Sequence, residues 1–134
     1  KEVNLMNSVQ ILGNLARDPE LRFTKTGRAV ATFTVAATNT YVDSTTNETK
    51  EQTAFINCVA WGKTGESVGN CKKGERLLVN GRIQTRSYDT QDGQKRYVTE
   101  VVADFVGKRL DGGFDDASNF DNFDATDPNE NIPF

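Results

Sequence analysis

The fold this sequence predicts is a small, closed, all-β barrel of five strands, and three observations predict it. Apolar and polar residues alternate with a period of two through five separate stretches between residues 8 and 106. One Gly- and Lys-containing stretch, residues 63–73, suits a short helix or irregular connection between the third and fourth strands. Glycines stand inside two strands, at Gly13 and Gly81, where a barrel corner needs a sharp bend.

Each element has its own justification. In residues 8–15, Val9, Ile11 and Leu15 share one face. In residues 29–38, Ala31, Phe33, Val35 and Ala37 point inward, and Thr32, Thr34 and Thr38 outward. Lys25 to Arg28, with Gly27, forms a turn before this second strand. Asp43 to Lys50 has no apolar residue and reads as an exposed loop. The third strand, residues 53–61, places Ile56, Cys58 and Ala60 inward and Phe55, Asn57, Val59 and Trp61 outward. The fourth, residues 76–88, turns Leu77, Val79, Gly81 and Ile83 inward. Asp92-Gly93 marks a tight hairpin into the fifth, residues 95–106. Five strands in about 100 residues fit an oligonucleotide-binding barrel, with another small barrel or sandwich as the rival. No internal repeat is present. Periodicity ends at Gly112, and Gly, Asp, Asn and Ser then dominate, a composition that cannot bury enough surface to order itself. The expected organisation is a binding domain over residues 1–110 and a disordered acidic tail over residues 111–134.

Charge follows the same division. The total is −3, but all 16 Lys and Arg lie in residues 1–110 against 12 acids there, a net of +4. Residues 111–134 hold 7 acids and no base, a net of −7. A mildly basic body with an acidic end points to nucleic-acid contact in one part and protein interaction in the other. No apolar run approaches the roughly 20 residues of a membrane span, and residues 1–7 lack the apolar stretch of a signal peptide. Cys58 and Cys71 have neither C-x-x-C spacing nor a histidine to share a metal with, so they read as reduced thiols in a cytoplasmic protein. Met6 is a candidate natural start, and residues 1–5 read either as native or as an addition before it.

The chemistry on offer is stacking plus charge. Phe55 and Trp61 lie six residues apart on one strand face, roughly 20 Å at strand rise, enough to serve separate nucleotides. Taken alone, both rings read as core or as cover for an oligomer contact. The fourth strand shifts the balance, because its outward row is Arg82, Gln84, Arg86 and Tyr88. Guanidinium groups meet phosphates and also lie flat over bases. Lys95, Arg96 and Tyr97 extend the strip beyond the hairpin. Tyr41 is a further candidate, although strand parity puts it on the Phe33 and Val35 side. In the tail, Phe114, Phe120 and Phe123 alternate with acids, and Phe134 ends the chain beside a carboxylate. Such a segment suits a basic-rimmed hydrophobic pocket on a partner. Catalysis is not expected: there is no histidine, and no Gly-x-Ser-x-Gly, Walker loop or His-Glu-x-x-His motif. No cofactor or metal is expected either.

Several blocks then resemble bacterial-type single-stranded DNA-binding proteins. They are Ile11-Leu12-Gly13-Asn14-Leu15 with Asp18-Pro19-Glu20-Leu21-Arg22, then Lys50-Glu51-Gln52-Thr53, Trp61-Gly62-Lys63 and Lys73-Gly74. Val79-Asn80-Gly81-Arg82 through Thr85-Arg86-Ser87-Tyr88 follows, with Arg96-Tyr97 to Glu100-Val101 and the ending Ile132-Pro133-Phe134. The motifs are individually weak and jointly specific, and they run in order along nearly the whole chain. The resemblance implies an oligonucleotide-binding fold, a homotetramer, and single-stranded DNA wrapped around it. It implies roles in replication, recombination and repair, with partner proteins recruited through Ile132, Pro133 and Phe134. The family's stacking aromatics fall on Tyr41, Phe55, Trp61 and Tyr88. Several are commonly tryptophan in the family, so smaller faces here imply weaker stacking. The short linker points to a streamlined, bacteriophage- or plasmid-type member, and Asn129-Glu130-Asn131 replaces a denser acidic run. Two rivals remain: a barrel that binds RNA, and an adaptor whose barrel only oligomerises.

Overall fold

The structure, a computed structural model, describes residues 5–110. In chain order its elements are β1 (Val9–Leu15), β2 (Glu20–Phe23), β3 (Ala29–Val42), β4 (Thr49–Trp61), α1 (Gly62–Gly69), β5 (Arg76–Asp89) and β6 (Lys95–Lys108). The sheet order is β1-β5-β6-β4-β3-β2, and β1 also pairs with β3. Five strands therefore close into a barrel with one short helix. All pairings are antiparallel except β4 with β6, which run parallel from Cys58↔Val101 to Ala60↔Ala103. β2 is additional to the five expected strands. It pairs only with β3, outside the closed ring, and its four residues are too few to show an alternation. The proposed tail, residues 111–134, lies outside the described residues.

The interior holds Leu15, Ala31, Phe33, Val35, Cys58, Ala60, Leu77, Val79, Val101 and Ala103, with Val68 of α1 closing one end. Each large member contributes roughly 1.5–3 kcal/mol through burial. β1 pairs with β5 up to Asn14 and with β3 at Asn14 and Leu15, so it seals the ring at that corner. Gly13 is needed there, because a Cβ would collide with the Ala36 carbonyl. Gly81 answers the same problem on β5, where a Cβ would strike the Val102 carbonyl. Beside it β6 carries one extra residue: Asn80 faces Phe105 and Gly81 faces Ala103, so Asp104 is a bulge.

Four expected faces are corrected. Val59, expected outward, is buried, because it lies mid-sheet between Thr32 of β3 and Val102 of β6. Thr34, also expected outward, is buried within a hydrogen-bonded chain described below. Ile83, expected inward, is half exposed. β1 begins at Val9 opposite Gly81, so beyond that point β5 has lost its β1 neighbour. Asn7 partly replaces it, with Nδ2 donating to the Ile83 carbonyl at 2.8 Å and Oδ1 accepting from the Ile83 N–H at 2.9 Å. Ala37, expected inward, is only partly covered, being the last β3 residue near the barrel mouth.

The long strands continue past the barrel as two hairpin arms. β3 and β4 pair from Val30↔Trp61 out to Val42↔Thr49, so the expected loop shrinks to residues 43–48. β5 and β6 pair out to Asp89↔Lys95, and the turn closes with Gly93 at φ 80 and Gly93 N–H donating to the Thr90 carbonyl. Because β4 and β6 are parallel and both start at arm tips, the two arms leave the same end of the barrel.

Candidate nucleic-acid interface

Antiparallel partners point to the same side of a sheet, so the register sorts the outward side chains. The outer face carries Thr32, Thr34 and Ala36 on β3, then Trp61, Val59, Asn57 and Phe55 on β4. The parallel step to β6 adds Val102, Glu100, Val98 and Arg96, and β5 completes it with Arg82, Gln84, Arg86 and Tyr88. Six of the eight nominated residues therefore share one surface: Phe55, Trp61, Arg82, Arg86, Tyr88 and Arg96. Phe55 is 66% exposed, a large apolar ring facing water with no core to cover it. Trp61 is 37% exposed.

Tyr41 and Tyr97 fall on the opposite parity. Tyr41 pairs with Lys50 on the side that, lower down, carries Phe33 and Val35. β3 runs there without a bulge, so Tyr41 reaches solvent by lying past the barrel. Tyr97 pairs with Ser87, and its neighbour Arg96 with Tyr88, so the strip splits across the two faces of that arm.

The structure brings in groups that sequence reasoning missed. The Arg28 guanidinium lies over the Trp61 ring, 4.6 Å from its centroid, because Trp61 is paired with Val30 two residues away. That cation–π contact places a cation over the ring. Arg17 Nη2 donates to Thr34 Oγ1 at 3.0 Å, and Thr34 Oγ1 donates to Asn57 Oδ1 at 3.1 Å. The two nominated arginines each face a carboxylate. Arg82 Nη1 lies 3.1 Å from Asp104 Oδ1, and Arg86 Nε lies 2.7 Å from Glu100 Oε1. Arg17, Thr34, Asn57, Arg86, Val98 and Glu100 together line a cleft of about 180 Å³. None of this was legible beforehand, since the hydrogen-bonded partners lie 14 to 23 residues apart, and Arg28 and Trp61 further still.

The surrounding electrostatics are quiet. Burial, then the nearby Glu100 charge, pushes the Cys58 thiol up to about 12, so it is no nucleophile at neutral pH. Burial also raises Cys71, and both cysteines are free. Among the described residues no cluster of His, Cys, Asp or Glu could hold a metal. The surface can therefore stack, hydrogen-bond and neutralise phosphate.

Comparison with known proteins bears on the same residues. The signature of the single-strand binding protein family matches residues 6–108. A single-stranded DNA-binding protein of Halalkalibacterium halodurans is 46% identical over 133 residues, covering 93% of this chain and 74% of that protein. Single-stranded DNA-binding protein A of Bacillus subtilis is 49% identical over 104 residues, covering 76% of this chain and 58% of that protein. Among solved structures, a deletion mutant of the Thermus aquaticus single-stranded DNA binding protein superposes with a TM-score of 0.70 at 26% identity, covering 81% of this chain and 52% of that one. A Plasmodium falciparum protein in complex with single-stranded DNA gives 0.69 at 24% identity, over 81% of this chain and 96% of that one, and shares the fold. On the family signature, which spans nearly all the described residues, and on relatives of this identity and coverage, the chain belongs to the single-strand binding protein family.

Proposed function

We propose that this protein binds single-stranded DNA without sequence preference, through the outer face built by β4, β6 and β5. The observation that carries this reading is the gathering of Phe55, Trp61 and Tyr88 with Arg82, Arg86 and Arg96 on one surface. Bases stack on rings whatever their sequence, at roughly 1–3 kcal/mol per base, a range taken from single-strand binders as a class. Tyr41 and Tyr97 meet the strand where it passes around the arms. The family membership and the names of the relatives support the same substrate, and they belong to binding proteins rather than enzymes.

The working form is a homo-oligomer, a tetramer. Among the described residues, β1 from Val9 to Gly13 is paired on one side only, with β5. Leu12 and Leu78, paired with each other, are exposed beside Phe105, an apolar patch that a second copy covers. The acidic tail recruits replication, recombination and repair proteins through Ile132, Pro133 and Phe134. A cytoplasmic setting suits the two free cysteines, and no described helix is long and apolar enough to cross a membrane.

Titration of Trp61 fluorescence with oligo-dT of increasing length, with matched RNA and with duplex, tests the reading. Single-stranded DNA should quench in a length-dependent way, and duplex, whose base faces are hidden, should bind far more weakly. Equal affinity for duplex overturns it, and preference for RNA replaces it with the RNA-binding barrel. Deleting Phe134 alone should leave DNA binding unchanged and abolish capture of partner proteins. Deleting residues 111–134 removes seven acids and should also raise DNA affinity modestly at low salt.

A further inference from the structure

Resting on the reading that the outer face holds single-stranded DNA, we propose that Glu100 is a positioning residue of that site, acting through Arg86. A carboxylate beneath a polyanion opposes binding by simple electrostatics, so its place in the middle of this face needs a reason. Its surroundings supply one. The Glu100 side chain is 6% exposed, whereas that of Arg86 is 51% exposed. Both of its side-chain hydrogen bonds fall on the same oxygen: Oε1 accepts from Arg86 Nε at 2.7 Å and from Gln84 Nε2 at 3.2 Å. Nε is the inner nitrogen of the guanidinium, so a bond there from a buried anchor fixes the plane of the group. Gln84 sits directly across the ladder from Glu100 and locks the anchor in turn.

The other arginine shows what positioning is not. Arg82 meets Asp104 through a terminal nitrogen, Nη1, and the Asp104 side chain is 60% exposed on a bulge. That is a surface pair, worth little and easily exchanged for phosphate. Arg86 instead presents a preset plane at the cleft that also contains Asn57 and Thr34. A preset guanidinium gives up less rotamer entropy when a base or phosphate arrives, and preorganisation of this kind raises affinity.

The two accounts predict opposite signs. If Glu100 matters only as a charge, removing it strengthens binding. If it positions Arg86, Glu100→Ala weakens binding by roughly tenfold, the lower end of what a charge-assisted hydrogen bond is worth. Glu100→Gln keeps an acceptor oxygen and should stay within about twofold of the parent. In an Arg86→Ala background the loss caused by Glu100→Ala should vanish or turn into a gain, because the group it positions is gone and only the opposing charge is left. The readout is Trp61 quenching by a long oligo-dT in the full chain, with thermal melts alongside. If Glu100→Ala does not fold, Glu100→Asp carries the same test, since it keeps the charge but withdraws it from Arg86. Tighter binding by Glu100→Ala or Glu100→Asp with Arg86 in place overturns the proposal, as does a Glu100→Ala loss undiminished without Arg86, or a Glu100→Gln as weak as the alanine. A parent protein that no single strand quenches overturns the functional reading itself, before any variant is made.

Discussion

The barrel wall and the hairpin arms are made from the same strands, yet they follow different rules. From Ala29 to Val35, β3 buries Ala31, Phe33 and Val35 against Cys58 and Ala60 of β4. From Thr38 to Val42 the same strand, still fully paired, buries nothing. The β5 and β6 pair repeats the contrast, with Leu77 and Val79 buried at one end and every residue from Thr85 to Asp89 exposed at the other. In the arms the ladder and cross-strand pairs hold the shape, such as Thr38 with Thr53 at 2.9 Å. Hydrophobic burial is thus concentrated where it sets the fold, and the paired extensions leave their side chains available to a ligand. A paired strand beyond the core can tolerate substitutions that the core cannot.

The largest test of that contrast sets one ring against another. Phe33→Ala should lower unfolding free energy by about 3–5 kcal/mol, because the ring is fully enclosed. Tyr88→Ala, in an arm, should change stability by less than about 0.5 kcal/mol. Urea denaturation of both variants decides it, and a Tyr88→Ala protein that melts with Phe33→Ala would erase the distinction. A second test concerns backbone space. Gly81→Ala should destabilise by about 1–3 kcal/mol, since the new Cβ meets the Val102 carbonyl, which the ladder holds in place. Gly93→Ala meets nothing, and its cost should be confined to the strain of φ 80, about 1 kcal/mol. Equal midpoints for the two variants would remove the argument for close packing at the bulge.

Binding should rank the same residues differently. Trp61→Ala and Tyr88→Ala should each weaken oligo-dT binding by about 1–3 kcal/mol. Phe33→Ala, measured where it is still folded, should leave affinity within about threefold of the parent. A Phe33 effect on affinity as large as that of Tyr88, with the fold intact, would show that the wall also contacts DNA. For Tyr88 the affinity can be followed through Trp61, and for Trp61→Ala by filter retention.

The same contrast explains what could be read from sequence alone. The wall was legible, because period-two alternation reports burial on one face, and Phe33, Val35, Cys58 and Leu77 all lie where it puts them. The outward row Arg82, Gln84, Arg86 and Tyr88 was legible for the same reason. Ile83 was not, because alternation cannot tell where a neighbouring strand begins. Val59 was not, because a mid-sheet residue can be enclosed by its flanks. Tyr41 was legible in parity and not in exposure, since parity carries no information about where the barrel ends. Arg28, Arg17 and Glu100 were invisible because their partners are set by register between distant strands. The bulge at Asp104 had no signal in its sequence.

The smallest expected effect lies at the tip of the Tyr41 arm. Asp43 Oδ1 accepts from the Thr45 N–H at 2.9 Å and from Thr45 Oγ1 at 2.7 Å, and Oδ2 pairs with Lys50 Nζ at 2.9 Å. The Asp43 carbonyl also accepts from Asn47, whose φ of 60 completes the turn. The Thr45 hydroxyl, then Lys50 and the Thr45 amide, hold the carboxyl well below its ordinary 3.8, at about 2. The folded turn thus favours the ionised form more than the unfolded chain does. Its contribution to order is complete above the ordinary value and is lost as pH falls through about 2. Between pH 5 and 8 the arm should be insensitive to pH. Because the carboxylate is exposed, the loss should stay local and leave the barrel folded. The Thr45 amide resonance should titrate with a midpoint near 2, and a midpoint near 4 would mean the turn does not select the charged form. Asp43→Asn keeps the acceptor for Thr45 and gives up only Lys50. It should therefore abolish that titration while changing DNA affinity by less than about twofold, which confines the role of the tip to presenting Tyr41.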